Sequence, residues 1–206
     1  MMNSTLEKYI RRIITEFDQI PENRKKSLAK IAWFVSEKVH NEKPVRLIFI
    51  CTHNSRRSHM GQIWAQTAAY FYQIPGVEAY SGGTEATAFN PNAVAAMTKA
   101  GFDISIHQGK NNPVYEVIYA EDAVSVMAFS KKYNADVNPQ KDFCAVMTCS
   151  QADAECPFIP GASLRIAIPY EDPKDYDGTD KESAAYAERC EQIAREMFYL
   201  FSEVKK

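Results

Sequence analysis

Cys51 and Arg57 are the two residues whose types and spacing best suit nucleophilic chemistry on an anion. A short polar segment joins and follows them: Thr52, His53, Asn54, Ser55, Arg56 and Ser58. A cysteine thiolate is a strong nucleophile, and a guanidinium can donate two parallel hydrogen bonds to two oxygens of one anion. The spacing therefore predicts a nucleophile and an oxyanion-binding loop in one place.

The elements that must position this loop are a strand before it and a helix after it. Leu47–Ile50 is an apolar run that stops at Cys51, and helix-like sequence starts at His59. Backbone N–H groups of such a turn, together with the helix dipole, favour an anion and the Cys51 thiolate. A lone cysteine ending a strand is usually a small core residue; the strand–loop–helix context favours the functional interpretation here.

Length, charge and cysteine content limit the classes of protein to which this chain could belong. The chain has 206 residues and a net charge of −2, without basic runs interleaved with aromatics, so we expect one enzyme domain and no nucleic-acid partner. No apolar stretch approaches membrane-spanning length and the start, Met1 to Lys8, lacks an apolar signal core, which predicts a cytoplasmic protein without a membrane partner. Five cysteines without a Cys-x-x-Cys pair or a His cluster favour neither a disulfide scaffold nor a metal site.

The first 44 residues form a predicted helical hairpin extension, followed by a catalytic domain over 45–206. Ser4 and Glu7 suggest a capping box, apolar residues recur at helical spacing to Phe17, Pro21 marks a turn, and the pattern resumes towards Pro44. A docked structural cap is the favoured role for this extension. A dimerisation or partner surface is the alternative.

Strands and helices then alternate along the chain. Predicted helices cover 60–72, 93–100 (with Asn90 as N-cap and Pro91 at its first position) and the segment from Glu182 onward, and predicted strands cover 77–80, 124–128, 145–147 and 164–168. This alternation predicts an α/β fold with a parallel sheet and helices on both faces. Cys51 would lie beyond the carboxyl ends of the strands, where such sheets bind ligands.

Two further groups of residues suit the same chemistry. Cys149 follows a strand and should emerge at the same sheet edge as Cys51, and Cys156 lies seven residues further on in a polar segment. Cys144 and Cys190 are expected to be inert thiols, the latter on the apolar face of the last helix. Asp172, in an Asp-Pro pair after the last strand, is a candidate proton donor to a leaving oxygen.

The loop resembles the phosphate-binding loop of the low-molecular-weight protein tyrosine phosphatases and of the arsenate reductases built on the same fold, and the resemblance covers Val45 to about Val204. It implies a four-stranded parallel sheet, with Cys51 as nucleophile, Arg57 on the oxyanion and Asp172 as general acid. Cys149 and Cys156 resemble the redox pair of thioredoxin-coupled arsenate reductases. Lys174 rather than an aromatic residue follows the Asp-Pro pair, which disfavours an aryl phosphate.

The resemblance implies reduction of arsenate to arsenite by a cysteine relay, with thioredoxin as external reductant and no prosthetic group. The alternative is a phosphatase that hydrolyses phosphate monoesters through a Cys51 phosphocysteine and does not use Cys149 and Cys156. A non-catalytic oxyanion sensor is a third interpretation, which the presence of nucleophile, arginine and acid disfavours.

Some arsenate reductases of this kind bind potassium beside the loop. By position, Asn54 and Ser81 match two of the ligands, whereas Gln62 and Lys110 stand where carboxylates are expected. We therefore expect the Lys110 ammonium to take the place of the ion. The alternative is a solvated surface lysine in the Gly109-Lys110-Asn111 turn.

Overall fold

A computed structural model describes residues 2–204, and its central layer is a parallel four-stranded sheet with the order β2-β1-β6-β7. The strands are β1 (Val45–Cys51), β2 (Val77–Gly83), β6 (Phe143–Met147) and β7 (Ala162–Ala167). Cys51 pairs in register with Gly83, and Ile50 pairs with Met147. The carboxyl ends of three strands therefore meet at one edge, as predicted.

Helices cover both faces of this sheet. They are α1 (Ser4–Ile13), α2 (Glu22–His40), α3 (Arg57–Phe71), α4 (Pro91–Ala100), α5 (Ser150–Glu155) and α6 (Glu182–Val204). Leu47 and Phe49 face the larger core, which includes residues of α3 and α6, whereas Ile48 and Ile50 face a smaller cluster that includes Ala152 of α5. The predicted α/β fold is confirmed. Among residues 2–204, no helix has the length and apolarity needed to span a membrane.

A second sheet lies outside this arrangement, and the sequence did not indicate it. It is antiparallel, with the order β3-β4-β5, and consists of β3 (Asp103–Gln108), β4 (Val114–Ile118) and β5 (Val126–Ala128). The predicted strand 124–128 was wrong in extent and setting: only its last three residues are extended, they pair with β4, and Val124 is 88% exposed. A short apolar run does not reveal its pairing partner.

The N-terminal region is helical, as predicted, and it joins the main core. A short 3₁₀ helix (Ile14–Gln19) connects α1 to α2. Leu6, Ile10 and Ile13 are fully buried in the cluster that also contains Phe198 of α6, and α2 packs chiefly against α6. The boundary at residue 44 stays a prediction, but no separate core forms on its N-terminal side among the described residues.

The cap of α1 is Asn3, so the predicted capping box at Ser4 was wrong by one residue. The Asn3 side chain accepts a hydrogen bond from Leu6 N at 2.9 Å and donates one to Gly101 O at 2.5 Å. It thus satisfies a free amide of α1 and also ties this helix to the end of α4.

Replacing Asn3 by Ala should lower the free energy of unfolding by about 1–2 kcal/mol, because both hydrogen bonds are lost. Ser4→Ala is the matched control, since Ser4 is exposed and Ala is a good helix former. Urea denaturation of both variants measures the difference. An equal or larger loss of unfolding free energy for Ser4→Ala would show that Ser4, and not Asn3, caps α1.

Candidate active site

The backbone carbonyl groups of the loop between β1 and α3 accept hydrogen bonds from neighbouring segments. The donors come from the segment after β2 and from Ser130: Thr84 N to Cys51 O at 3.1 Å, Glu85 N to Thr52 O at 2.8 Å, Asn90 N to Ser55 O at 2.9 Å and Ser130 Oγ to His53 O at 3.0 Å. Within the described chain, the backbone N–H groups of residues 52–56 donate to no protein acceptor. Unpaired amides at a helix N-terminus are suited to hold an anion.

Two residues allow this path of the backbone. Asn54 has a φ of 44°, a left-handed conformation that asparagine tolerates better than most side chains. Gly83, at the end of β2, lies so close that a Cβ there would be 2.6 Å from Thr52 O and 2.7 Å from Asn54 N. Only glycine permits this approach.

The Cys51 sulfur lies at the base of the loop, 3% exposed and 3.1 Å from Ser58 Oγ. Asn54 Nδ2 donates to the same Ser58 oxygen at 2.8 Å. The orientation of the Asn54 amide is fixed, since Lys131 N–H, which can only donate, reaches its Oδ1 at 2.9 Å. The Ser58 proton therefore remains available for a hydrogen bond to the Cys51 sulfur.

Arg57 and Asp172 are brought together beside the loop. Arg57 Nη2 forms an ion pair with Asp172 Oδ2, and Nη1 donates to Tyr170 O at 2.8 Å. Arg57 Nε is buried and has no partner among the described residues. The predicted oxyanion ligand and the predicted acid thus share one site, and one buried donor stays unsatisfied there, which is a mark of functional sites.

His53 and Arg56 contribute backbone to the loop, and the Arg56 side chain also lies beside the candidate acid, with Nε 4.0 Å from Asp172 Oδ1. His53 Nε2 is 3.8 Å from Glu85 Oε2 at the surface. Arg56 Nε donates to Tyr186 OH at 2.7 Å, and that hydroxyl donates to Asp177 Oδ1 at 2.8 Å. Tyr186 was not among the predicted site residues, because the apolar periodicity of α6 does not reveal the partner of a phenol group.

Cys149 lies at the same edge as Cys51. Thr148 N donates to Ile50 O at 2.7 Å, which joins the ends of β6 and β1, and the Cys149 sulfur is 3.5 Å from Thr52 Oγ1. Cys149 caps α5, with its sulfur accepting from Ala152 N at 3.4 Å. Cys51 and Cys149 belong to one buried cluster, and Cys156 packs against it.

Cys156 ends α5 and is half-buried. Arg165 of β7 donates to Cys156 O at 3.0 Å and to Asp153 Oδ1 at 2.6 Å, and so fastens this segment to the sheet. Burial and the Glu155 carboxylate raise the pKa of the Cys156 thiol, against the opposing effect of the Arg165 guanidinium. The net effect favours the thiol form of Cys156 over the thiolate in this conformation.

Cys144 and Cys190 lie apart from the loop, in the larger core. Both are buried, and burial raises the pKa of Cys144 strongly and that of Cys190 to about 12. Cys190 contacts Trp64 and Met97. These two thiols are inert packing groups.

The expectation for Lys110 was wrong, because this residue is exposed, in the segment between β3 and β4. The buried ammonium near the loop belongs instead to Lys131, which is 8% exposed, and whose Nζ contacts Phe129 O at 3.3 Å and lies 4.5 Å from the Phe129 ring centre. Its sequence setting, Ser-Lys-Lys-Tyr, carries no indication of burial.

The other groups expected beside a cation bind protein atoms, except that Gln62 Oε1 is buried without a partner among the described residues. Ser81 Oγ contacts His59 Nδ1 at 3.2 Å, and Gln62 Nε2 donates to Ala79 O at 3.1 Å. Burial, with the Lys131 charge, lowers the pKa of His59 well below its usual value. Among residues 2–204, no group of three or more His, Cys, Asp or Glu side chains is arranged to hold a metal ion.

Lys131→Met should stabilise the protein at pH 7 by up to about 3 kcal/mol, because burial lowers the pKa of Lys131 from 10.5 to about 8. Below pH 8 both folded and unfolded chains carry the proton and the penalty is constant. Between pH 8 and 10.5 the unfolded chain binds more protons, so the wild-type protein gains stability and the difference shrinks.

Urea denaturation at pH 7 and pH 9.5 measures this change, with Lys110→Met as the exposed control. A Lys131→Met variant that is less stable than wild type at both pH values would show that the ammonium makes favourable contacts that outweigh its burial.

Solved structures similar in fold define the class of this protein. A low-molecular-weight phosphotyrosine phosphatase from Vibrio cholerae O395 matches with a TM-score of 0.51 at 14% identity, over 77% of this chain and 95% of that one. An arsenate reductase in its phosphate-binding state matches with a TM-score of 0.50 at 18% identity, over 78% of this chain and 98% of that one. The fold is that of the low-molecular-weight protein tyrosine phosphatases.

Sequence relatives identify the family. The arsenate reductase of Bacillus licheniformis is 31% identical over 157 residues, which is 76% of this chain and 94% of the relative. The arsenate reductase of Bacillus subtilis strain 168 is 30% identical over 160 residues, 78% of this chain and 96% of the relative. No family model matches the sequence. The chain belongs to the arsenate reductase family, and it is an enzyme.

Proposed function

We propose that this enzyme reduces arsenate to arsenite by a relay of Cys51, Cys149 and Cys156. The observation that carries the proposal is the grouping of these three cysteines in one cluster at the carboxyl edge of the sheet, next to the anion-binding loop. A phosphatase of this fold needs only Cys51. The other two cysteines of the chain lie in the larger core.

The first step is attack of the Cys51 thiolate on arsenic held by the loop amides and Arg57. An S–As bond forms and an As–O bond breaks, and Asp172 gives its proton to the departing oxygen, which leaves as water. Asp172 also accepts a hydrogen bond from Lys174 N at 3.1 Å, so its carboxyl group is held in place.

The second step transfers two electrons. The Cys149 thiolate attacks the Cys51 sulfur, and the electron pair of the S–As bond passes to arsenic, which leaves as arsenite. A Cys51–Cys149 disulfide remains. Cys156 then gives its proton to solvent and attacks the Cys149 sulfur, which releases the Cys51 thiolate and leaves a Cys149–Cys156 disulfide.

An external dithiol must restore the enzyme. Thioredoxin is the reductant that we propose, acting by thiol–disulfide exchange on the Cys149–Cys156 bond, with no prosthetic group. Of the three cysteines, Cys156 is the most exposed, which suits encounter with a partner. Because thioredoxin keeps thiols reduced in the cytoplasm, we propose that the reaction takes place there.

Single cysteine variants separate the relay from simple phosphatase chemistry. Cys149→Ser and Cys156→Ser should each lower steady-state arsenate reduction by about two orders of magnitude or more, yet spare hydrolysis of a small aryl phosphate, because only the relay uses these thiols. Cys51→Ser should abolish both activities. Asp172→Asn should slow arsenate reduction by about a hundredfold and hydrolysis of p-nitrophenyl phosphate much less, because p-nitrophenolate leaves readily without a proton donor.

The assay couples thioredoxin, thioredoxin reductase and NADPH oxidation to arsenate, with p-nitrophenyl phosphate in parallel. Cys144→Ala is the matched control, since this buried thiol lies outside the cluster. Wild-type turnover of arsenate by both Cys149→Ser and Cys156→Ser would exclude the relay. Hydrolysis of aryl phosphate without any arsenate reduction by the wild-type enzyme would make it a phosphatase.

A further inference from the structure

Glu196 of α6 is a buried carboxylate, 2% exposed, whose partners come from two distant parts of the chain. Arg24 of α2 approaches it in a bidentate manner, with Nε to Oε1 at 3.0 Å and Nη2 to Oε2 at 2.5 Å. The Tyr170 hydroxyl donates to Oε2 at 2.7 Å. A buried carboxylate needs such partners, because an unpaired charge in the interior is strongly destabilising.

Arg24 also contacts the segment that leads to Asp172. Its third nitrogen, Nη1, donates to Pro169 O at 2.8 Å, and the guanidinium lies 4.7 Å from the centre of the Tyr170 ring. Each of the three guanidinium nitrogens thus donates a hydrogen bond that fastens α6 or Pro169 to α2. One side chain of the N-terminal extension therefore holds two parts of the predicted catalytic domain.

The same segment meets the anion-binding loop on its other side. Tyr170 O accepts from Arg57 Nη1 at 2.8 Å, and Asp172, two residues further on, forms the ion pair with Arg57. Tyr170 N donates to Thr148 O at 3.1 Å, beside Cys149. Arg24, Tyr170 and Arg57 thus form a continuous series of contacts from α2 to the candidate acid.

We infer that the N-terminal extension positions the acid-bearing segment of the active site, and that Arg24 is the positioning residue through which it acts. The inference rests on the proposed role of Asp172. Arg24 does not touch the substrate in this account. It fixes Pro169 and Tyr170 so that the Asp172 carboxyl reaches the departing oxygen, and a small displacement of an acid weakens proton transfer.

The extension has a second link to α6 that lacks this connection and provides a control. Arg195 of α6 pairs with Glu16 at 2.7 Å, and Glu16 also pairs with Arg12 at 2.9 Å. Among the hydrogen bonds and ion pairs of the described residues, none joins Arg12, Glu16 or Arg195 to residues 169–172. Glu16→Gln therefore weakens the docking of the extension without touching the acid-bearing segment.

The test compares two aryl phosphates with different leaving groups. Phenyl phosphate has a poor leaving group and depends on proton donation, whereas p-nitrophenyl phosphate depends on it little. The main variant is Arg24→Met/Glu196→Gln, which leaves no unpaired buried charge. It should lower kcat for phenyl phosphate about tenfold or more, change kcat for p-nitrophenyl phosphate less than about threefold, and lower arsenate reduction.

Arg24→Lys keeps the charge opposite Glu196 but not the planar set of donors, so it should show the same selective loss with near-normal stability. Glu16→Gln should leave the ratio of the two kcat values unchanged. Equal losses on both phosphates for the Arg24 variants, or no loss, would overturn the inference while the wild-type activity stands. A wild-type enzyme inactive on arsenate and on both phosphates would reject the proposed function, and the inference with it.

Discussion

The close approach of β2 to the loop after β1 is the constraint on which the site depends. A Cβ on Gly83 would lie 2.3 Å from Glu85 O as well as against the backbone of the loop, so the two segments meet at backbone distance. This contact lets donors after β2 bind the loop carbonyls, and the loop amides remain unpaired for an anion. Asn54, whose backbone is left-handed, then donates a hydrogen bond from Nδ2 to Ser58 Oγ and accepts one at Oδ1 from Lys131 N.

The parallel sheet brings the remaining groups to that loop. Because β6 runs beside β1, Thr148 binds Ile50 O, and Cys149 emerges next to Thr52. The segment after β7 begins beside β6 and carries Asp172 to Arg57. The groups that we propose for anion binding, proton donation and the redox pair thus lie on consecutive neighbours in one sheet, although the loop is more than 90 positions from the other groups in sequence.

Local rules predicted much of this arrangement. Asn90 and Pro91 begin α4 and the helix ends at Ala100, as expected, and the apolar run before Cys51 is a buried strand. The antiparallel sheet was missed because β3 is short and almost wholly exposed, although Ile104 and Ile106 alternate with polar residues in it. Lys131 and the Arg24–Glu196 pair were missed because a charged residue in the sequence does not show that it is buried. Whether a charged residue is buried depends on tertiary contacts between segments that are distant in sequence.

The central claim is that arsenate reduction proceeds through the Cys149–Cys156 disulfide. Its most direct test is a single turnover of the fully reduced enzyme with arsenate and no external reductant, followed by acid quenching, alkylation and mass-spectrometric mapping of the five cysteines. The account predicts one arsenite per enzyme, a disulfide between Cys149 and Cys156, and a free Cys51. Arsenite release with both Cys149 and Cys156 still alkylated as free thiols would contradict it.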